Sequence, residues 1–115
     1  MIWYEVRARV PHDLAEAYER YLRDHHIPDL LATGCFVEAS FCRADAAGRT
    51  ASDEATPPGV LFRSAYLAPH RVALDAYLAD HAARLRAHAM ARFPEGLVFE
   101  RETWEVRQRW GGGAA

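Results

Sequence analysis

His26-Ile27-Pro28-Asp29-Leu30-Leu31-Ala32-Thr33-Gly34-Cys35-Phe36 is the corner on which this chain turns from helix to strand. Upstream of it, Leu14, Tyr18, Tyr21, Leu22 and His25 recur at helical spacing, opposite Glu16, Glu19, Arg20 and Arg23. That is an amphipathic helix. Pro28 disfavours helical backbone at Ile27, so the spacing predicts a helix ending near His25 or His26. Pro28 can open another short turn over 29–32, which Gly34 closes. Beyond the corner, residues 35–43 (Cys-Phe-Val-Glu-Ala-Ser-Phe-Cys-Arg) read as a strand.

Working outward, Ile2, Tyr4, Val6, Ala8 and Val10 alternate with Trp3, Glu5, Arg7 and Arg9. A period of two marks a first strand with one apolar face. Pro11 stops it, and Asp13 is a candidate N-cap for the helix that follows. Residues 44–59, rich in Ala, Asp, Thr, Pro and Gly, form a polar connection expected to be the most mobile part of the chain. Residues 60–67 read as a third strand, 71–92 as a second helix introduced by Pro69 and His70, and 97–107 as a last strand. The order β-α-β-β-α-β is the ferredoxin-like split βαβ pattern. It predicts a four-stranded antiparallel sheet with two helices on one face, an α+β fold. One domain over 1–109 is expected, with a flexible tail over 110–115.

The composition excludes more than it names. A chain of 115 residues holds one core. A net charge of −2 gives no electrostatic reason to expect nucleic acid. No apolar run suits a membrane span, and the first residues lack the pattern of a secretory signal, so a cytoplasmic protein is expected. All 14 basic residues are Arg, which removes any lysine Schiff base. Cys35 and Cys42, if both lie on one strand, are about 23 Å apart at the usual rise and cannot form a disulfide. There is no Cys-x-x-Cys, His-x-x-x-His, glycine-rich nucleotide loop or nucleophile elbow. No cofactor and no metal are expected.

The segment 26–36, together with Tyr66-Leu67-Ala68, Tyr77, Ala82, Leu85, Arg86 and residues 99–106, resembles a bacterial family of small ferredoxin-like proteins catalogued as a domain of unknown function. The resemblance spans residues 2 to about 106, with His26, Pro28, Thr33, Gly34, Tyr66, Arg86 and Arg101 matching its pattern. His81 stands where the family has an aromatic residue, and the 46–58 loop is longer. The family is similar to the dimeric α/β-barrel group, which includes monooxygenases, haem degraders, isomerases and non-catalytic members. The resemblance implies that fold and a homodimer; it implies no particular reaction. The haem degraders of the group also use an Asn on the first strand, and this chain has no Asn.

Three readings of function stand side by side. In the first, a cavity between sheet and helices binds a small apolar or aromatic molecule, with Trp3, Arg63, Tyr66 and Arg101 as contacts. In the second, His26 is the acid/base of a cofactor-independent oxygenase- or isomerase-like enzyme, since an imidazole titrates near neutrality. In the third, the chain is a non-catalytic dimerising interaction module. Each candidate has a structural alternative. His26 can cap the helix end, the tyrosines can be core, and Glu5, Arg7, Arg63, Arg101 and Glu105 can form an ion-pair network across a homodimer interface. Trp3 and Trp104, placed on the sheet face away from the helices, favour a face covered by a second copy.

Overall fold

The computed structural model describes residues 1–45 and 59–113. Four strands, β1 (Ile2–Val10), β2 (Glu38–Arg43), β3 (Val60–Ala68) and β4 (Val98–Glu105), form one antiparallel sheet in the order β2-β3-β1-β4. The helical segments lie on one face of it, as the ferredoxin-like order requires. The expected mobile connection lies mostly outside the described residues, as do the last two residues of the expected tail.

The first helical run differs from expectation at the corner. It does not end before Pro28. It continues as α1 (Ala15–Tyr21), a π turn over Leu22–His26, and α2 (Ile27–Ala32), with Ile27 itself helical at φ −65°, ψ −47°. A proline in an α-helix lacks an N–H and its ring crowds the carbonyl four residues back. Here the π turn widens the backbone just ahead of Pro28, and Ile27 N–H bonds to the Leu22 carbonyl, five residues back. The proline restriction is thus absorbed by a change of helical register.

Gly34 ends the run as expected. Its φ of +77° is a left-handed cap that glycine adopts freely. Thr33 Oγ1 donates to the Leu30 carbonyl (2.6 Å) and accepts from Cys35 N–H (3.3 Å), which fixes the exit of the chain. Asp13 is not a cap, because it lies inside a 3-10 turn, His12–Leu14, that opens with Leu14 N–H bonding to Pro11 O. Cys35 is not on β2, which begins at Glu38, so the two thiols do not share a strand. Both are free, with Cys35 buried and Cys42 exposed.

The second helix is two helices, α3 (Arg71–Asp80) and α4 (Ala82–Arg92), broken at His81, whose φ of −128° is not helical. His70 caps α3 by accepting Ala73 N–H on Nδ1 at 3.2 Å. Two apolar clusters fill the space between helices and sheet. One gathers Tyr4, Leu30, Phe36, Tyr66, Leu74, Tyr77 and Leu85. The other gathers Ala8, Val10, Tyr18, Leu22, Phe62 and Phe93.

Candidate functional site

The register of the sheet explains why these two clusters do not close on each other. On the helix face, one cross-strand row carries Tyr66, Tyr4 and Thr103, and the row four residues away carries Phe62, Ala8 and Phe99. Between them runs Ser64, Val6 and Arg101. Two small side chains flanked by aromatic rows leave a gap at the centre of the sheet. Tyr4, Tyr66 and Tyr77 wall it on one side, with ring centroids 5.8 and 6.1 Å from Tyr4. Tyr18 and Phe93, 5.7 Å apart edge to face, wall the other. The result is a cavity of about 270 Å³, roofed by Leu22, His26 and Leu30 and by Arg86, Ala89 and Met90 of α4.

The π turn is what aims His26 into it. Tyr18, Leu22, His26 and Leu30 all line the cavity at four-residue steps. In a regular α-helix each such step drifts about 40° around the axis, so the set would wander off one face. The wider π turn, covering the step from Leu22 to His26, turns the drift back.

Polar atoms in the cavity wall are short of partners. His26 Nδ1, Tyr66 Oη and Arg86 Nε are buried and make no hydrogen bond of good geometry. Native interiors rarely leave such groups unpaired. Arg86 is held from its other end, Nη2 donating to Tyr4 Oη at 2.9 Å. Arg101, exposed at the rim on the edge strand β4, lies with its guanidinium 5.3 Å from the Phe99 ring centre. Among the described residues no carboxylate lines the cavity.

Burial pulls the His26 imidazole down to about 4; Arg101 adds to this and Asp29 opposes it. His26 is therefore neutral near pH 7. Burial raises the Tyr66 phenol above its ordinary range, tempered by the Ser64 hydroxyl, and raises Tyr18 as well. Tyr77 is pushed up to about 12 by burial and by Tyr4, with Arg86, Arg101 and Arg84 opposing. The cavity thus offers neutral phenols, a neutral imidazole and two permanent cations.

Of the residues singled out from the sequence, the structure brings together His26, Tyr66 and Arg101. Arg101 is on the helix face and not on the open one, because it pairs with Val6. Trp3 and Arg63 lie on the opposite face of the sheet and cannot contact a ligand in this cavity. There Arg63 belongs to an ion-pair cluster. Glu5, 5% exposed, has Arg7 Nε 2.7 Å from one carboxylate oxygen and Arg63 Nε 3.2 Å from the other. Trp3 pairs with Trp104, which is 51% exposed. Sequence reasoning weighed Tyr4 and Tyr77 as pocket phenols against a core role, did not assign Tyr18, Phe93 and Phe99 to a site, and reached Arg86 only through resemblance. The 18-22-26-30 spacing was the one available signal.

A second, open groove lies between α1, the π turn and α4, lined by Arg20, Asp24, Asp29, Arg92 and His88. It mixes both charge signs, and no unpartnered buried atom points into it. Among the described residues no cluster of three His, Cys, Asp or Glu is placed to hold a metal, and no helix is long and apolar enough to cross a membrane.

A small ferredoxin-like domain with a cavity between sheet and helices is the class these features define, and comparison with known proteins agrees on the fold. The chain belongs to the family described as Domain of unknown function (DUF4286), which matches residues 1–107. No curated protein sequence matches it significantly. Among solved structures, it is similar to SnoaB, a cofactor-independent oxygenase from Streptomyces nogalater, at 16% identity and TM-score 0.65, covering 94% of each chain. It is also similar to a dimeric ferredoxin-like protein from an uncultured marine organism (11%, TM-score 0.63, 95% and 97% covered). HapK from Hahella chejuensis matches at 18% and TM-score 0.62, with 98% and 100% covered. At these identities the likeness is one of fold.

Proposed function

We propose that this protein binds a small aromatic molecule in the cavity between sheet and helices. The observation that carries the reading is an aromatic-walled cavity whose lining residues include three with a buried polar atom that makes no hydrogen bond of good geometry, His26 Nδ1, Tyr66 Oη and Arg86 Nε. Apolar walls with a few convergent polar groups are the usual make-up of a ligand site. A volume of about 270 Å³ suits a compound of one or two rings. The test is a thermal-shift series with one- and two-ring aromatic compounds on the wild-type chain and on Ala89→Phe, which fills the cavity. Saturable stabilisation of the wild type, absent in Ala89→Phe, supports the reading. Equal stabilisation of both places the ligand elsewhere.

The unpartnered Nδ1 of His26 favours a second reading, in which the imidazole takes a proton from a bound carbon acid and either returns it at another carbon, as in an isomerase-like reaction, or passes it to the peroxide formed when dioxygen adds to the carbanion, as in an oxygenase-like one. SnoaB, named as a cofactor-independent oxygenase, has the same fold. An imidazole held near 4 is a weak base, so binding is the primary reading. Loss of turnover in His26→Gln with ligand binding retained supports the catalytic role; unchanged turnover rejects it.

Two copies are proposed to meet through the open sheet face. Trp3, Trp104 and Val98 are its apolar part, and Arg7, Arg9 and Arg63 alternate with Glu5, Glu100 and Glu102, so the face is complementary to itself. The similarity to a dimeric ferredoxin-like protein supports this arrangement.

A further inference from the structure

We infer that the cavity ligand is an anion, an aromatic carboxylate whose ring lies among the tyrosines and whose oxygens meet Arg86 Nε and Tyr66 Oη. The inference rests on the ligand-binding reading above and specifies the ligand's chemistry.

Three observations carry it. The first is charge balance: among the described residues the lining holds two guanidinium groups, Arg86 and Arg101, and no carboxylate, Asp29 acting on His26 from outside it. On the opposite face of the same sheet, arginines are matched by Glu5 at 2.7 and 3.2 Å. Among the described residues that line the cavity, none is such a partner. The second is geometry at Arg86. Nη2 is anchored on Tyr4 Oη, so the side chain is fixed, while buried Nε is left with an unused donor. A guanidinium edge suits a carboxylate, which can accept two hydrogen bonds side by side. The third is Tyr66 Oη, a second buried group on the same lining, which has the Ser64 hydroxyl near it but makes no hydrogen bond of good geometry. A phenol held protonated by burial donates to an anionic oxygen at no cost in proton transfer.

The remaining polar atom fits the same ligand. His26 Nδ1, neutral, is available to a carboxylate oxygen as a donor in one tautomer. Arg101, exposed on the edge strand, adds a second cation to the same lining. A neutral aromatic amide of the same shape keeps the ring contacts and loses the charge-assisted bonds.

The experiment compares 2-naphthoate with 2-naphthamide by calorimetric titration at pH 7, on the wild-type chain and on Arg86→Gln and Arg101→Gln. The expected result is naphthoate binding at least tenfold tighter than the amide, with the preference lost in Arg86→Gln and reduced in Arg101→Gln. Arg101 is exposed on an edge strand, so that variant keeps the test open if Arg86→Gln fails to fold. Equal affinity for the two probes overturns the anion inference and leaves the aromatic-ligand reading standing. Binding of naphthoate that survives both substitutions overturns the inference too, because a surface cation then holds it. Binding of neither probe counts against the aromatic-ligand reading and the anion inference together.

Discussion

Arg86 and Tyr4, 82 positions apart, are joined by a 2.9 Å hydrogen bond that ties α4 to the centre of the sheet. The bond links the first strand to the last helix and fixes the cationic wall of the cavity. A charged donor makes it worth about 1.5–3 kcal/mol. Tyr4→Phe is expected to lower the unfolding free energy by about that amount in urea titration at pH 7. Arg84→Ala, which removes an exposed guanidinium 3.0 Å from the His81 ring, is expected to change it by less than about 0.5 kcal/mol. Equal effects of the two substitutions contradict the assignment.

Tyr66→Phe is expected to do the opposite to stability. The hydroxyl it removes is buried and makes no hydrogen bond of good geometry, with only a weak approach to the Ser64 hydroxyl, so its loss is neutral or stabilises the fold by about 1 kcal/mol. The same change is expected to weaken aromatic ligands several-fold. A side chain kept at a cost to the fold is the mark of a binding residue. Clear destabilisation in Tyr66→Phe means the hydroxyl already has its partner in the free protein.

His26 links stability to pH. Its folded-state pKa, about 4, lies below the unfolded value near 6.5, so the unfolded chain takes up the proton first. Its contribution is complete above about 6.5 and is lost as pH falls from there toward 4. The charged and titratable groups facing it are Arg101 from β4, Asp29 from α2 and Tyr21, stacked at 6.0 Å, from α1. Wild-type urea midpoints are expected to fall between pH 7 and pH 5 more steeply than those of His26→Gln. Parallel curves show that the imidazole is solvated.

Much of this was legible in residue periodicity, and the rest has identifiable causes. The alternation from Ile2 to Val10 gave the central strand and its apolar face, and Gly34 marked the end of the helical run. Pro28 misled because the rule for the residue before proline assumes α-helical register, and the π turn over Leu22–His26 supplies another. Trp3 and Arg63 were grouped with Arg101 because the register of β4 was unknown; pairing Val6 with Arg101 puts Arg101 on the other face. The cavity itself was out of reach. Periodicity gives the direction of Ser64 and Val6, but only register shows them side by side between aromatic rows.

Gly34 and Gly59 separate backbone cost from crowding. At Gly34 an added Cβ meets nothing within 4 Å, so Gly34→Ala tests the positive φ alone and is expected to cost about 1–2 kcal/mol. At Gly59 a Cβ lies 2.7 Å from the Val10 carbonyl oxygen, and the φ is +140°. Gly59→Ala is expected to lower the thermal midpoint further than Gly34→Ala. The reverse order contradicts the placement of Gly59 against β1.

The open sheet face gives a prediction about assembly. Trp104→Glu puts a charge beside Trp3 where a second copy is proposed to pack. Sedimentation velocity is expected to show dimer for the wild type and monomer for Trp104→Glu, with ligand binding retained because the cavity is on the other face. A wild-type monomer removes the proposed interface.

The most direct test of the central claim is a ¹H–¹⁵N correlation spectrum of the histidine side chains during titration with 2-naphthoate and its amide. The three tryptophans do not line the cavity, whereas His26 does, so its ring nitrogens report occupancy where indole fluorescence does not. The account predicts saturable shifts of the His26 resonances with at least one probe, while those of exposed His12 and His70 stay in place. Shifts confined to surface histidines, or none at all, contradict a ligand site between the sheet and the helices.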